Sequence, residues 1–356
     1  MSGIERYAGC TSERLVEITD RFPEVRVAVL GDFFLDKYLD VDPKLAEVSL
    51  ETGKIAHQVV SIRQSPGAAG TVVSNLASLG ASRILALGFV GADGEGVELR
   101  QGLMNLGCDV SFLQRSLVRR TPTYLKPRDV DSPGLRGEHP RYDIKNREWL
   151  PPEIEVRLLS GLERVLPEKV DAVIIADQVA EEDCGVVTGV VRRRLEMLAG
   201  RYPEVVFWVD SRNRIDRFRG MIIKPNQFEA VGWQNPPPEA KVSRSRLAAA
   251  LRKLRRRTGA PVVITCGAEG VVVSDPEPTF VAALPVEGPT DPTGAGDSFT
   301  AGAVLALAAG ASLPEAALVG NLVASITVQQ LGTTGTARRE ELPDRLKLWL
   351  ERHEEA

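Results

Sequence analysis

The sequence is poor in cysteine and aromatic residues, and it has no broad excess of either charge. Four cysteines are scattered over 356 residues at positions 10, 108, 184 and 266. No C-x-x-C pair occurs and no histidine sits beside any of them, which argues against a zinc site and a disulfide framework and fits a reducing cytosol. Lysine and arginine number 44 against 48 acidic residues, a formal charge of -4. That balance gives no reason to expect nucleic acid as a partner. The one dense basic run, "RKLRRRTG" at 252–259, reads as the solvated end of a helix. The first 24 residues are charged and lack the apolar segment of a signal peptide, and no uninterrupted apolar run is long enough to span a bilayer. A cytoplasmic protein without a membrane partner is the expectation. No internal repeat stands out.

What is present is ample core material, with 43% apolar residues. Valine- and isoleucine-rich runs at 25–31, 83–91, 170–177, 205–210, 221–226 and 261–267 lack polar alternation, as strands buried on both faces do. Helical patterns lie between them at 70–79, 94–106, 152–166, 184–199 and 243–258, with further helices at 313–331 and 339–353. Repeated βα units imply an α/β fold, a mostly parallel central sheet flanked by helices. Two stretches, 50–66 and 121–130, alternate apolar and polar residues and read as a small projecting sheet, a lid. The division expected is an N-terminal extension over 1–24 and one domain over 25–356, with lid strands at about 40–66 and 119–130. "WQNPPPEAK" at 233–241 reads as a surface loop.

Near the C-terminus "DPTGAGDSF" runs from Asp291 to Phe299 and leads straight into the small-residue helix "FTAGAVLALAAG". Gly294, Ala295 and Gly296 let backbone approach a ligand closely at a helix start, where the dipole favours negative charge. That is an anion hole for a phosphate or a transient oxyanion. Asp297 has two readings: a first-turn carboxylate favoured by the dipole, or a general base taking a proton from a hydroxyl that attacks a phosphoryl group.

The string "DPTGAGDSFTAGAV" resembles the C-terminal signature of the ribokinase-like (PfkB) carbohydrate and nucleoside kinases, and the likeness runs from about residue 25 to about 331. It implies a ribokinase-like sheet with a lid, ATP as co-substrate, Mg²⁺, and Asp297 as the base beside the Gly294–Ala295–Gly296 hole. Asp291 and Thr293 match positions that hold a monovalent cation, K⁺, in some members. Asn226 and Glu229 in "KPNQFE" resemble the motif that organises Mg²⁺ through water, although a capping box has the same spacing. Lys224 is placed to reach a nucleotide phosphate or to remain solvated. Thr265, Gly267 and Gly270 in "TCGAEG" resemble the segment that packs on the nucleotide. Asn321 falls where the family meets adenine, or else pairs locally as a helix amide.

On the acceptor side, "GDFFLDKYL" follows the first strand as a loop and resembles most closely the heptose-7-phosphate kinases of this family. The resemblance assigns Asp36 to the sugar hydroxyls, with Asp32 as a second candidate. The next station departs from the family's P-G-G-A-A-N: Gly67 is kept, but Ala68 replaces the second glycine and Thr71 the asparagine. Lys126, Arg128 and Arg141 are candidates for a distal phosphate or are simply solvated, and Tyr124 is a sugar platform or lid core. The acceptor expected is a sugar or sugar phosphate, and a homodimer through the lid is the expected assembly. No C-terminal nucleotidyltransferase segment follows, so a monofunctional kinase is anticipated. The alternative is a catalytically weak sugar- or nucleotide-binding sensor or assembly subunit of the same fold, prompted by Ala68 and Thr71. A nicotinamide dehydrogenase, suggested by "GADGEG" at 91–96, fails because those glycines do not follow the first strand.

Overall fold

A computed structural model describes residues 4–353 except 133–136, 169, 238 and 333. Six parallel strands form the central sheet. In spatial order they are Ile222–Ile223, Val206–Ser211, Ala172–Asp177, Arg26–Gly31, Arg83–Gly91 and Leu113–Ser116. Side chains alternate between two cores, as the two-residue strand period requires. Val27 and Val29 face one core with the helices Ala69–Leu79, Ala295–Ala308 and Leu313–Thr327. Ala28 and Leu30 face the other, with Pro152–Val165, Gly189–Arg201 and Arg244–Thr258. The sheet is therefore covered on both faces, which is why its strands read as continuous apolar runs.

The run expected at 261–267 is a strand, Val263–Thr265, which runs parallel at the edge of the central sheet but without a continuous ladder to it. A short 3-10 turn, Gly267–Glu269, returns the chain as the antiparallel strand Gly270–Val273, and Thr279–Ala282 follows, also antiparallel. Three residues cannot make the crossover that a parallel neighbour needs. Single bridges from Ile223 to Val262 and from Asn226 to Thr265 still join this hairpin to the central sheet. The expected helix at 184–199 begins later, at Gly189, because the Thr188 hydroxyl caps it by accepting from the Val191 amide.

Residues 4–24 are part of the same body. Glu5–Arg6 pairs with Thr279 and Phe280, and Leu15, Ile18 and Phe22 are buried in the first core. The segment expected as an extension is thus woven into the domain.

A second, four-stranded sheet stands on the N-terminal half. Its order is Tyr142–Ile144, Thr123–Asp129, Phe33–Val41 and Val59–Ala68. Phe33–Val41 follows the first central strand directly, and it is a strand where the sequence suggests a loop. Phe34, Asp36, Tyr38 and Asp40 alternate with Phe33, Leu35, Lys37 and Leu39, and Asp36 is level with Ser65 on one side and Tyr124 on the other. One residue, Asp32, separates the two sheets. Its amide donates to the Ala176 carbonyl and its carbonyl accepts from the Ala69 amide, both at 3.1 Å.

The helix Ala295–Ala308 is built of small residues because Leu313–Thr327 lies against it. A Cβ on Gly302 would come within 2.8 Å of Val323, and one on Gly320 within 2.6 Å of the Phe299 ring. Among the described residues no helix is long and apolar enough to cross a membrane.

Candidate active site

The site forms beyond the carboxyl ends of the central strands, where an open α/β sheet places its ligands. Asp297 occupies the first turn of Ala295–Ala308, after Gly294 in a left-handed conformation (φ 77°). A Cβ on Gly294 would lie 2.7 Å from the Thr334 methyl and 3.3 Å from the Thr71 methyl, so the turn has closely packed walls. The Ala295 and Asp297 amides donate to the Pro292 and Gly294 carbonyls at 3.1 Å. The expected anion hole therefore has two of its amides engaged within the turn. Positive charge comes instead from the helix dipole and from Lys224, whose Nζ lies 3.5 Å from where a Cβ on Gly296 would stand.

Lys224 is buried and ion-paired with Asp210 at 2.8 Å. Burial alone would depress its pKa, but the facing carboxylates of Asp210, Glu229 and Asp297 hold it above the usual lysine value. Asp297 is pushed up to about 7, first by burial, then by the charges of Asp210 and Asp36, with Lys224 and Arg212 opposing. Glu229 is also pushed up to about 7 by burial, with Asp210 adding to the shift and the Asn226 amide, Lys224 and Arg212 countering it. Asp210, at the end of Val206–Ser211, and Arg212 escape a reading of the sequence. The position of an acid at the end of a central strand is the available clue.

Asn226 and Glu229 form a capping box. The Asn226 Oδ1 accepts from the Phe228 and Glu229 amides at 2.9 Å, and Glu229 accepts from the Asn226 amide at 2.8 Å. The cap fixes Glu229 where it also feels Asp210 and Lys224.

On one side of Asp297 lies a cavity of about 440 Å³. Thr265, Gly267, Gly270, Ala295, Gly296 and Asn321 line it, so six residues singled out in the sequence converge there. Gly270 (φ 123°) is required by the fold, since a Cβ would meet the Val281 carbonyl at 2.2 Å. The Asn321 side-chain amide donates to the Val281 and Ala282 carbonyls, so its NH₂ group serves the structure at the cavity wall. Asp291 is buried and one of its carboxylate oxygens accepts from the Thr293 amide at 2.9 Å, while Thr293 is exposed.

On the other side stands the small sheet. Asp36 pairs with Lys126 at 3.1 Å across adjacent strands, and its Oδ1 is buried with no hydrogen-bond partner. Gly67 abuts it, because a Cβ there would lie 3.0 Å from the Asp36 Cγ. Lys126 also lies 4.9 Å from the Tyr38 ring centre, and Arg141 lies 4.0 Å over the Tyr124 ring while paired with Asp143. Arg128 sits 3.9 Å from Asp40 and reaches toward Gly332. Asp32, the second carboxylate candidate, is fully used by the protein. One oxygen accepts from the Gln178 and Val179 amides and the other from Val186, which holds the segment after Ala172–Asp177. Ala68 has φ 53° and ψ −118°, a conformation that glycine tolerates and alanine resists. Between Phe34, Tyr124, Lys145 and Arg212 a cavity of only about 20 Å³ remains.

Comparison with known proteins places this geometry. Residues 220–339 match the model of the pfkB family carbohydrate kinases. The chain is 30% identical over 327 residues to the bifunctional protein HldE of a Nitratiruptor species, covering 90% of this chain and 64% of that protein. Residues 220–339 thus resemble a pfkB carbohydrate kinase domain, and the whole chain has a ribokinase-like fold. The pfkB match includes Lys224, Asn226, Glu229, the cavity-lining residues and Asp297. Bifunctional HldE of Shewanella putrefaciens is also 30% identical, over 338 residues, 92% of this chain and 64% of its own length. The chain thus spans somewhat under two thirds of these relatives. The solved structures agree in fold. Arabidopsis thaliana ribokinase complexed with ribose and ATP superposes with a TM-score of 0.64 at 18% identity, covering 91% of this chain and 99% of the ribokinase. Escherichia coli phosphofructokinase-2 in complex with fructose-6-phosphate gives 0.66 at 19%, covering 92% and 99%.

Proposed function

We propose that the protein is an ATP-dependent kinase of a sugar or sugar phosphate, with Asp297 as general base. The observation that carries this reading is the place of Asp297 at a helix start, between the 440 Å³ cavity and the Asp36–Lys126 pair, with its carboxyl near neutrality. The ATP base and ribose would occupy the cavity and the phosphates would run toward Lys224 and Gly296. The acceptor would bind under the small sheet acting as a lid, with a hydroxyl donating to the unpartnered Asp36 oxygen. Asp297 takes the proton of the attacked hydroxyl, that oxygen forms its bond to the γ-phosphorus, and the bond to the β-γ bridging oxygen breaks to release ADP. Lys224 and the helix dipole stabilise the charge that develops on the transferred group.

The donor set suits a hydrated Mg²⁺. Asp210, Glu229 and Asn226 supply hard oxygen ligands, yet among the described residues no group of three or more acidic, histidine or cysteine side chains converges to hold a bare ion. When bound, Mg²⁺ supplies neutralisation of phosphate charge. Asp291 and Thr293 are assigned to a monovalent cation such as K⁺. Lys126 and Arg141 would receive a distal phosphate. Val48, Ile55, Val60 and Ile62 are each more than half exposed, an apolar surface that suits a homodimer through the lid. A cytoplasmic location accords with these assignments.

Asp297→Asn tests the mechanism. Turnover across a panel of sugars and sugar phosphates should fall by about 10²–10⁴-fold while nucleotide affinity persists. Full activity in that variant would remove Asp297 as the base.

A further inference from the structure

A second cleft, of about 990 Å³, shares none of its lining residues with the nucleotide cavity. One wall is the helix Arg244–Thr258, which contributes positions 246, 249, 250, 253, 254 and 257. Steps of three and four put these on a single face. Ala249 and Ala250 keep the middle of that wall low, and Arg246, Lys253 and Arg257 rise around it. The facing wall carries Phe228 and Trp233, whose rings meet edge to face at 5.8 Å. Trp233 is held in place by its amide, which donates to the Phe228 carbonyl at 2.9 Å, after the left-handed Gly232.

The charge of the cleft is uneven. Arg212, Arg246, Lys253 and Arg257 face two carboxylates, Asp216 and Glu229. Asp216 is already paired with Arg257 at 2.9 Å. Among the described residues neither Arg246 nor Lys253 has an acidic partner, and the Arg246 guanidinium instead lies 5.9 Å from the Trp233 ring centre. Two unpaired cations beside a fixed aromatic pair match a ligand with a flat ring and a strongly anionic tail. The volume accommodates a molecule of nucleotide size.

We propose that this cleft is a second ligand site, for a nucleotide, with the base on Trp233 and Phe228 and the phosphates on Arg246 and Lys253. Asn226, Glu229 and Arg212 also line the cleft, and the charges of Glu229 and Arg212 act on Lys224 and Asp297 of the proposed active site. Occupancy would therefore alter phosphoryl transfer. That consequence rests on the kinase reading, whereas binding itself does not.

Calorimetric titration of the full chain with ADP, without acceptor, tests the site. Two binding events are expected for the native protein and one for the double variant R246E/K253E, in which the second event weakens about tenfold or more. The second event should quench Trp233 fluorescence, a change lost in W233F. A single event in the native protein, or a second event indifferent to R246E/K253E, overturns the proposal. Displacement by inorganic pyrophosphate as effective as by ADP, with no Trp233 quench, shows an anion patch and overturns the nucleotide assignment. Two ADP events in a protein inactive with every acceptor would keep this site and remove the kinase reading. Turnover with a single ADP event would do the reverse.

Discussion

The two sides of Asp297 are built on opposite plans. The side proposed for the nucleotide is an open cavity of about 440 Å³ shaped by backbone, with Gly267, Gly270, Ala295 and Gly296 among its lining residues. The proposed acceptor side is built instead from side chains on separate strands, several already committed to ion pairs. Backbone recognition needs small residues at fixed spacing and leaves a sequence pattern. Side-chain recognition depends on which strands become neighbours, and it leaves almost none.

The largest break in this comparison is at the shared centre. Asp297→Asn should lower kcat by about 10²–10⁴-fold with little change in nucleotide affinity, as single-turnover and equilibrium-binding measurements would show. Asp36→Asn should act on the acceptor side alone, raising the acceptor KM by about one to two orders of magnitude, the loss of a charge-assisted hydrogen bond. An equal rise in the KM for ATP would erase the proposed division. Below pH 7 the log of kcat/KM should fall with a slope near one, because Asp297, with a pKa of about 7, must be deprotonated to act.

The same shift has a stability consequence of opposite sense. A carboxyl whose folded pKa lies above its unfolded value of 3.8 takes up a proton on folding between about pH 4 and 7. Its contribution to stability is full at low pH and is lost as pH rises through 7. Asp297→Asn should therefore melt higher than the native protein at pH 8, with the difference shrinking as pH falls. The smallest effect is expected at Ala68. Ala68→Gly relieves a strained backbone but loosens the unfolded chain, a net gain of about 1 kcal/mol or less, readable by denaturant titration.

The sequence is legible where one residue type serves one purpose. The Gly294–Asp297 string and the Val/Ile runs of the central sheet are of this kind. The strand Phe33–Val41 is not, because it begins one residue after another strand ends, with no turn signal between them. Asp210 is hidden as well, since an acid at the end of the strand run 205–210 carries no motif, and the neighbouring strand brings Lys224 against it. Asp32 and Asp36 look alike in sequence, four residues apart. Backbone amides take both oxygens of one and leave an oxygen of the other bare.

That contrast bears on how the small sheet can move. Asp32 is the single residue joining it to the central sheet along this strand, and it is bolted by two backbone hydrogen bonds and three amides on its carboxylate. The sheet is therefore built like a diving board, clamped at the root, with its far end at Val41, Val59 and Asp129. Movement of the sheet to admit the proposed acceptor would be a flexing that grows with distance from Asp32. Asp36, a few residues from the clamp, would barely shift while the outer strands swing.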